Sequence, residues 1–273
     1  MSDLATPDET KPATDSVGRF FWYELMTGDQ DAAIDFYTRV VGWTASEAEQ
    51  PDMRYTILSA AGIGIGGIMQ LTDEMRSGGA RPGWLGYIHA ADTDAKVKEI
   101  EAAGGRILMQ PGDIPNVGRF ALAADPGGAL FYLLTPRPRE GDGPPPEPAP
   151  GTSGTVSWRE LYSSSGQEAA FAFYSGQFGW ETITEMDMGP MGKYRIFGKD
   201  GVQLGGMMDK PVNVPASVWT FYINVDGIDE AAERIKASGG SLIMGPMEVP
   251  GGSWVIQAVD PQGAHFALIS LTR

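Results

Sequence analysis

From Arg19 onward, apolar and polar positions alternate in a way that predicts short strands separated by amphipathic helices. "RFFWYEL" (19–25) reads as a strand. "DQDAAIDFYTRVV" (29–41) follows as a helix, with Ala33, Phe36, Tyr37 and Val40 at helical spacing and Gly42 placed to close it. "RYTILSA" (54–60) and "GIGIGGIMQL" (62–71) read as strands. The pattern then restarts: strand "WLGYIHA" (84–90), helix "DAKVKEIEAAGG" (94–105) ending in glycines, and strands "RILMQP", "GRFALAAD" and "ALFYLLT". The first half of the chain thus holds two strand–helix–strand–strand–strand units.

The second half repeats the first in the same order. "WYELMTGDQDAAIDFYTRVVGW" returns as "WRELYSSSGQEAAFAFYSGQFGW", "RYTIL" as "KYRIF", "GGIM" as "GGMM", and "WLGYIHAADTDA" as "WTFYINVDGIDE". "AAGGRILMQP" returns as "ASGGSLIMGP" and "DPGGALFYLL" as "DPQGAHFALI". The proline- and glycine-rich stretch between the copies reads as a semi-rigid linker. The expected organisation is a disordered tail over 1–16, a first domain over 17–137, a linker over 138–152 and a second domain over 153–273.

Composition narrows the function classes. With 42% apolar and 20% charged residues the chain is of ordinary globular type. It contains no cysteine, which excludes disulfides and thiolate chemistry. A formal charge of −15 opposes nucleic-acid backbones. No apolar run is long enough for a membrane span, and the polar N-terminus is not of secretory type, so a cytoplasmic location is expected. The twin glycines Gly66-Gly67 and Gly205-Gly206 lie between strand-like segments, which fits a bulge or close backbone approach rather than a phosphate loop.

The FY-x3-hydrophobic-Gly-Trp helix end, the strand before a helix closing in "AAGG", and the "DP-x-G" turn resemble the vicinal oxygen chelate superfamily. That superfamily includes glyoxalase I, bleomycin-resistance proteins and extradiol dioxygenases. The duplicated chain is similar to tandem two-domain glyoxalase-like proteins of actinobacteria, some labelled secreted antigens. The resemblance implies an α+β fold of two tandem domains. Each would be two βαβββ modules forming a curled, cup-shaped mixed sheet. It also implies up to four metal ligands, His or Glu, on strands lining the cup. Here those positions hold Trp22, Gly66, Leu85 and Tyr132 in the first copy, and Trp158, Gly205, Thr220 and Ala267 in the second. Neither set offers three metal-type donors. No metal or other cofactor is expected, although His265 lies only two residues before the fourth position.

The candidate ligand contacts are Trp22, Glu24, Tyr87 and Tyr132 in the first copy, and Trp158, Glu160, Thr220, Tyr222 and His265 in the second. Glu24 and Glu160 occupy matching points on the two first strands. Each alternates with a tryptophan that shares its face, and each is a candidate ligand anchor or general base. The polar set Thr220, Asn224 and His265 favours the second copy as the holder of a polar ligand; His89 reads as structural. The leading expectation is metal-independent binding of a small organic molecule in an aromatic-lined cup. The alternatives are a glyoxalase-type lyase or isomerase with a Glu base, and a non-catalytic structural or interaction protein. With two units fused in one chain, a monomer is expected.

Overall fold

A computed structural model of the chain describes residues 16–48, 53–137 and 148–273. All of the expected tail but Ser16, and most of the expected linker, lie outside these residues.

The first half folds as β1 (Phe20–Thr27), α1 (Gln30–Val40), β2 (Thr44–Glu47), β3 (Tyr55–Ala60) and β4 (Ile63–Gln70). A short helix α2 (Asp73–Ser77) leads to β5 (Gly83–His89), α3 (Thr93–Ala102), β6 (Arg106–Ile114), β7 (Gly118–Ala124) and β8 (Leu130–Pro136). The second half repeats this as β9 (Val156–Ser163), α4 (Gln167–Phe178), β10 (Glu181–Asp187), β11 (Lys193–Lys199) and β12 (Val202–Asp209). It closes with β13 (Val218–Asn224), α5 (Ile228–Ala237), β14 (Ser241–Glu248), β15 (Trp254–Val259) and β16 (His265–Ser270). The chain therefore carries four βαβββ modules.

Two of these strands were invisible in the hydrophobic pattern. All four residues of β2 are exposed, as are most of those in β10, so no apolar face marks them. They form because β3 and β11 offer free edges to pair with. The helices follow their pattern closely: Ala33, Phe36, Tyr37 and Val40 of α1 are all buried. The Asp29 side chain caps the first turn by accepting from Ala32 N–H.

Each half builds one mixed eight-stranded sheet, in the order β2-β3-β4-β1-β5-β8-β7-β6 and, identically, β10-β11-β12-β9-β13-β16-β15-β14. The first strand of a module runs parallel to the last strand of the same module. The two modules of a half meet where β1 lies antiparallel to β5, and β9 to β13. This register sets Glu24 beside Gly67 and Leu85, and Trp22 beside Tyr87, which in turn faces Tyr132. In the second half Glu160 stands beside Gly206 and Thr220, and Trp158 beside Tyr222.

Each sheet buries its two faces differently. One face and the helices of both halves share a single core, containing Tyr37, Trp43 and Trp84 of the first half together with Tyr174, Trp180 and Trp219 of the second. α1 packs on α5 and α3 on α4, so the halves meet through their helical sides. The opposite, cup-side faces form separate clusters, each within one half: Tyr87, Tyr132 and Leu134 in the first, Tyr222, Val255 and Ala267 in the second.

The repeated Gly-Trp element serves this interface. Trp43 Nε1–H donates to Gly154 O at 2.7 Å, and Trp180 Nε1–H donates to Gly18 O at 2.6 Å. Each indole thus pins the segment leading into the other half's first strand, and satisfies its one polar atom inside the core. The "DP-x-G" turn does the same. Asp260 accepts from Gln262 and Ala264 N–H within its own turn and from Tyr37 Oη of the other half at 3.2 Å, while Tyr37 accepts from Trp84 Nε1–H. The counterpart pair is looser: Tyr174 lies beside Asp125 without a hydrogen bond of good geometry to Oδ2, although Trp219 still donates to Tyr174. Among the described residues, no helix is long and apolar enough to cross a membrane.

Candidate functional site

The cup of the first half has one carboxylate at its floor. Glu24 is 4% exposed and accepts from Tyr87 Oη at 3.1 Å. Tyr55 stands near enough to favour the charged carboxylate. Its oxygen is held in place by Trp22 Nε1–H at 2.9 Å. Burial dominates all the same, and raises the Glu24 pKa to about 7. The tyrosines around it are driven the other way from acidity: burial and the nearby Glu24 charge raise Tyr55, Tyr87 and Tyr132, so all three remain hydrogen-bond donors at neutral pH. Tyr132 stacks on Tyr87 with ring centroids 4.4 Å apart and planes 15° apart. Phe21, Trp22, Leu85, Val117, Phe120 and Leu122 complete the apolar wall.

The second cup repeats the arrangement with more polar contacts. Glu160 is 8% exposed and accepts from Tyr194 at 2.9 Å, from Tyr222 at 3.0 Å and from Gln257 Nε2 at 3.5 Å. Trp158 Nε1–H donates to Tyr194 Oη at 2.9 Å, as Trp22 does to Tyr55. Burial raises the Glu160 pKa, while Tyr194, Tyr162 and Tyr222 lower it. Gln257 also donates to Tyr222 at 2.8 Å and to Tyr162 at 3.3 Å.

The twin glycines make this geometry possible. A Cβ on Gly66 would sit 2.1 Å from Tyr23 O, and one on Gly205 only 1.9 Å from Arg159 O. A Cβ on Gly67 or Gly206 would sit 2.1 Å from the hydroxyl of Tyr55 or Tyr194. The first glycine lets the parallel strands close up; the second lets the tyrosine lie across the strand to reach the glutamate.

The structure thus gathers Trp22, Glu24, Tyr87 and Tyr132 in one cup and Trp158, Glu160, Thr220 and Tyr222 in the other. Tyr55, Tyr194, Tyr162 and Gln257 belong to the same constellations and were missed. Tyr55 and Tyr194 sit in the matched "RYTIL" and "KYRIF" strands, a signal that was available; Gln257 has Leu122 as its counterpart, so no repetition marked it. The polar set expected in the second copy does not converge. Asn224 donates to Thr155 O and Oγ1 and accepts from Ser157, tying the start of β9. His265 lines an enclosed space of about 10 Å³ between the halves with Tyr23, Trp43 and Trp84, room for one water, and burial lowers its pKa. His89 bonds Ser16 at 2.7 Å through Nδ1.

The sequence profile of the Glyoxalase/Bleomycin resistance protein/Dioxygenase superfamily matches residues 19–133 and 162–268. The chain belongs to this superfamily. It is 30% identical over 250 residues to the "Putative glyoxylase CFP32" of Mycobacterium tuberculosis, covering 91% of this chain and 93% of that protein. It is also 30% identical over 267 residues to the "Anthracycline biosynthesis protein DnrV" of Streptomyces peucetius, covering 92% of each. Among solved structures, the Mn(II)-bound glyoxalase of Novosphingobium aromaticivorans superposes with a TM-score of 0.64 at 18% identity, over 94% of this chain and 83% of that one. The 2,3-dioxygenase LapB of Pseudomonas sp. KL28 gives 0.64 at 15%, over 94% and 93%.

A metal, as in that glyoxalase, does not suit the residues present. Each cup has one carboxylate surrounded by protonated phenols and indoles, whereas a divalent ion needs three or more converging O or N donors. No cluster of three His, Cys, Asp or Glu side chains occurs among the described residues.

Proposed function

We propose that this superfamily member binds a flat, largely apolar organic molecule in an aromatic-walled cup, without a resident metal ion. The observation that carries this reading is the buried carboxylate at the floor of an aromatic cup, preserved in both halves with the same Trp–Tyr partner. A carboxylate buried at a cost in stability and held by tyrosines is placed to orient a ligand, and stacking walls suit a planar one. The name of the Streptomyces relative, an anthracycline biosynthesis protein, is in keeping with a planar ligand. Native mass spectrometry and elemental analysis of freshly purified protein test the proposal. A co-purifying organic mass, or an organic ligand found by titration, is expected. Stoichiometric, tightly held zinc, nickel, iron or manganese would overturn the metal-independent part.

One observation favours a second reading, an isomerase or lyase of glyoxalase type. A carboxyl group that titrates at about 7 is half-ionised at neutral pH and suited to accept a proton from a carbon acid. Turnover of methylglyoxal with a thiol would then be lost in the Glu24→Gln/Glu160→Gln double variant. Unchanged turnover removes both bases.

A further inference from the structure

We infer that the two cups have divided their roles: the first is the ligand site, where Glu24 and the Tyr132 hydroxyl together recognise a planar molecule carrying a hydroxyl beside a carbonyl. The second cup is held closed by its own hydrogen bonds and serves as scaffold. This rests on the reading that a cup binds an organic molecule.

The argument is one of unused hydrogen-bonding capacity. A carboxylate offers about four acceptor positions. Glu160 uses three, on Tyr194, Tyr222 and Gln257. Gln257 then links Tyr222 and Tyr162 into the same network. Glu24 has fewer partners: it accepts from Tyr87 at 3.1 Å, and Tyr55 is the other hydroxyl beside it. The difference follows from sequence: Leu122 stands where the second copy has Gln257, and Met26 where it has Tyr162.

Tyr132 adds the complementary half. Its counterpart is Ala267, so the first cup alone has this phenol. The residue is 3% exposed, and burial and the Glu24 charge, with no hydrogen bond, govern its hydroxyl. Its ring is held by stacking on Tyr87, close enough to Glu24 for the carboxylate charge to raise its pKa. Glu24 and Tyr132 are almost completely buried, at 4% and 3% exposed, and neither carries a fully buried unpaired oxygen. One unused acceptor and one unused donor, set together in an apolar wall, match a ligand that donates through a hydroxyl and accepts through a neighbouring carbonyl.

The second cup does contain one unpaired group, the Thr220 hydroxyl. Thr220 is 2% exposed and its oxygen is fully buried, on the strand position beside Glu160.

The test titrates the full-length protein with 1-hydroxyanthraquinone, followed by tryptophan fluorescence and calorimetry. One site per chain is expected. Tyr132→Phe, which keeps the stacking ring, should weaken binding about 5- to 10-fold, and Glu24→Gln by about tenfold or more. Leu122→Gln, which installs the lock of the second cup in the first, should weaken it comparably. Arg39→Ala, on the exposed side of α1 and outside both cups, should stay within about twofold. Near-ultraviolet circular dichroism confirms that each variant is folded. Two equal sites per chain, or loss on Glu160→Gln with Glu24→Gln unchanged, overturns the division of roles and leaves ligand binding standing. Absence of binding to the wild type overturns this inference alone, because the co-purification experiment judges the broader reading separately.

Discussion

Glu24 carries a stability cost that its burial imposes. Its carboxyl group titrates near 4.5 in an unfolded chain and at about 7 in the fold, because burial outweighs the Tyr87 and Tyr55 contacts. The folded state therefore holds its proton more tightly. Its stabilising effect is complete below about pH 4.5 and is lost as the pH rises towards 7. Over that window this residue alone should remove about 2–3 kcal/mol. Glu160 is shifted in the same direction and adds to the same trend. In Glu24→Gln, whose amide oxygen can still accept from Tyr87, the fall in stability between pH 5 and 8 should be visibly shallower. Urea denaturation across that range would measure it, and equal slopes for wild type and variant would show that the carboxyl is not shifted.

At the scale of elements, the paired glycines make opposite halves of one device. Gly66→Ala drives a methyl group into a backbone carbonyl of β1, which only strand separation can relieve. Gly67→Ala meets the far end of a side chain, Tyr55, which can swing away. Gly66→Ala should therefore cost about 3 kcal/mol or more and Gly67→Ala about 1–3 kcal/mol. Only Gly67→Ala should regain stability when Tyr55 is shortened to Ser. Thermal denaturation of the three variants separates the cases, and Gly205 and Gly206 should behave alike. The edge strands β2 and β10 teach a different lesson. They are exposed and owe their existence to backbone pairing with the neighbouring strand, so no reading of side-chain periodicity could find them.

For the whole molecule, the shared core makes the two halves one folding unit. Trp43, Trp84, Trp180 and Trp219 are all buried where the halves meet, and two of these indoles donate across the interface. Calorimetry should show a single cooperative transition, whereas two resolved transitions would mean independent domains. A fragment comprising residues 17–137 would expose Tyr37, Trp43 and Trp84, and it should self-associate in sedimentation experiments. Asp260→Ala removes the acceptor for two turn N–H groups and for Tyr37 Oη, and should lower stability by about 2–4 kcal/mol. The "DP-x-G" turn, taken alone as a signature of fold, is thus also a clasp between the halves.

Local pattern and repetition determined a large part of this. Helical spacing in "DQDAAIDFYTRVV", the collinear duplication, and Trp and Glu alternating on β1 and β9 are all local in sequence, and they suffice for the module, its copying and the glutamates at the cup floor. They also sufficed to remove the expected metal donors, since ligand type is a property of residue identity. Tertiary structure decided what residue identity leaves open. Whether Glu160 is tied down depends on Gln257, which approaches from a strand 97 positions away. Whether Tyr132 is free depends on what its neighbours leave unpaired. Whether His265 enters a cup or lines the gap between halves depends on how the two sheets pack. Hydrogen-bond saturation and burial are sums over groups distant in sequence, and only the folded chain brings those groups together.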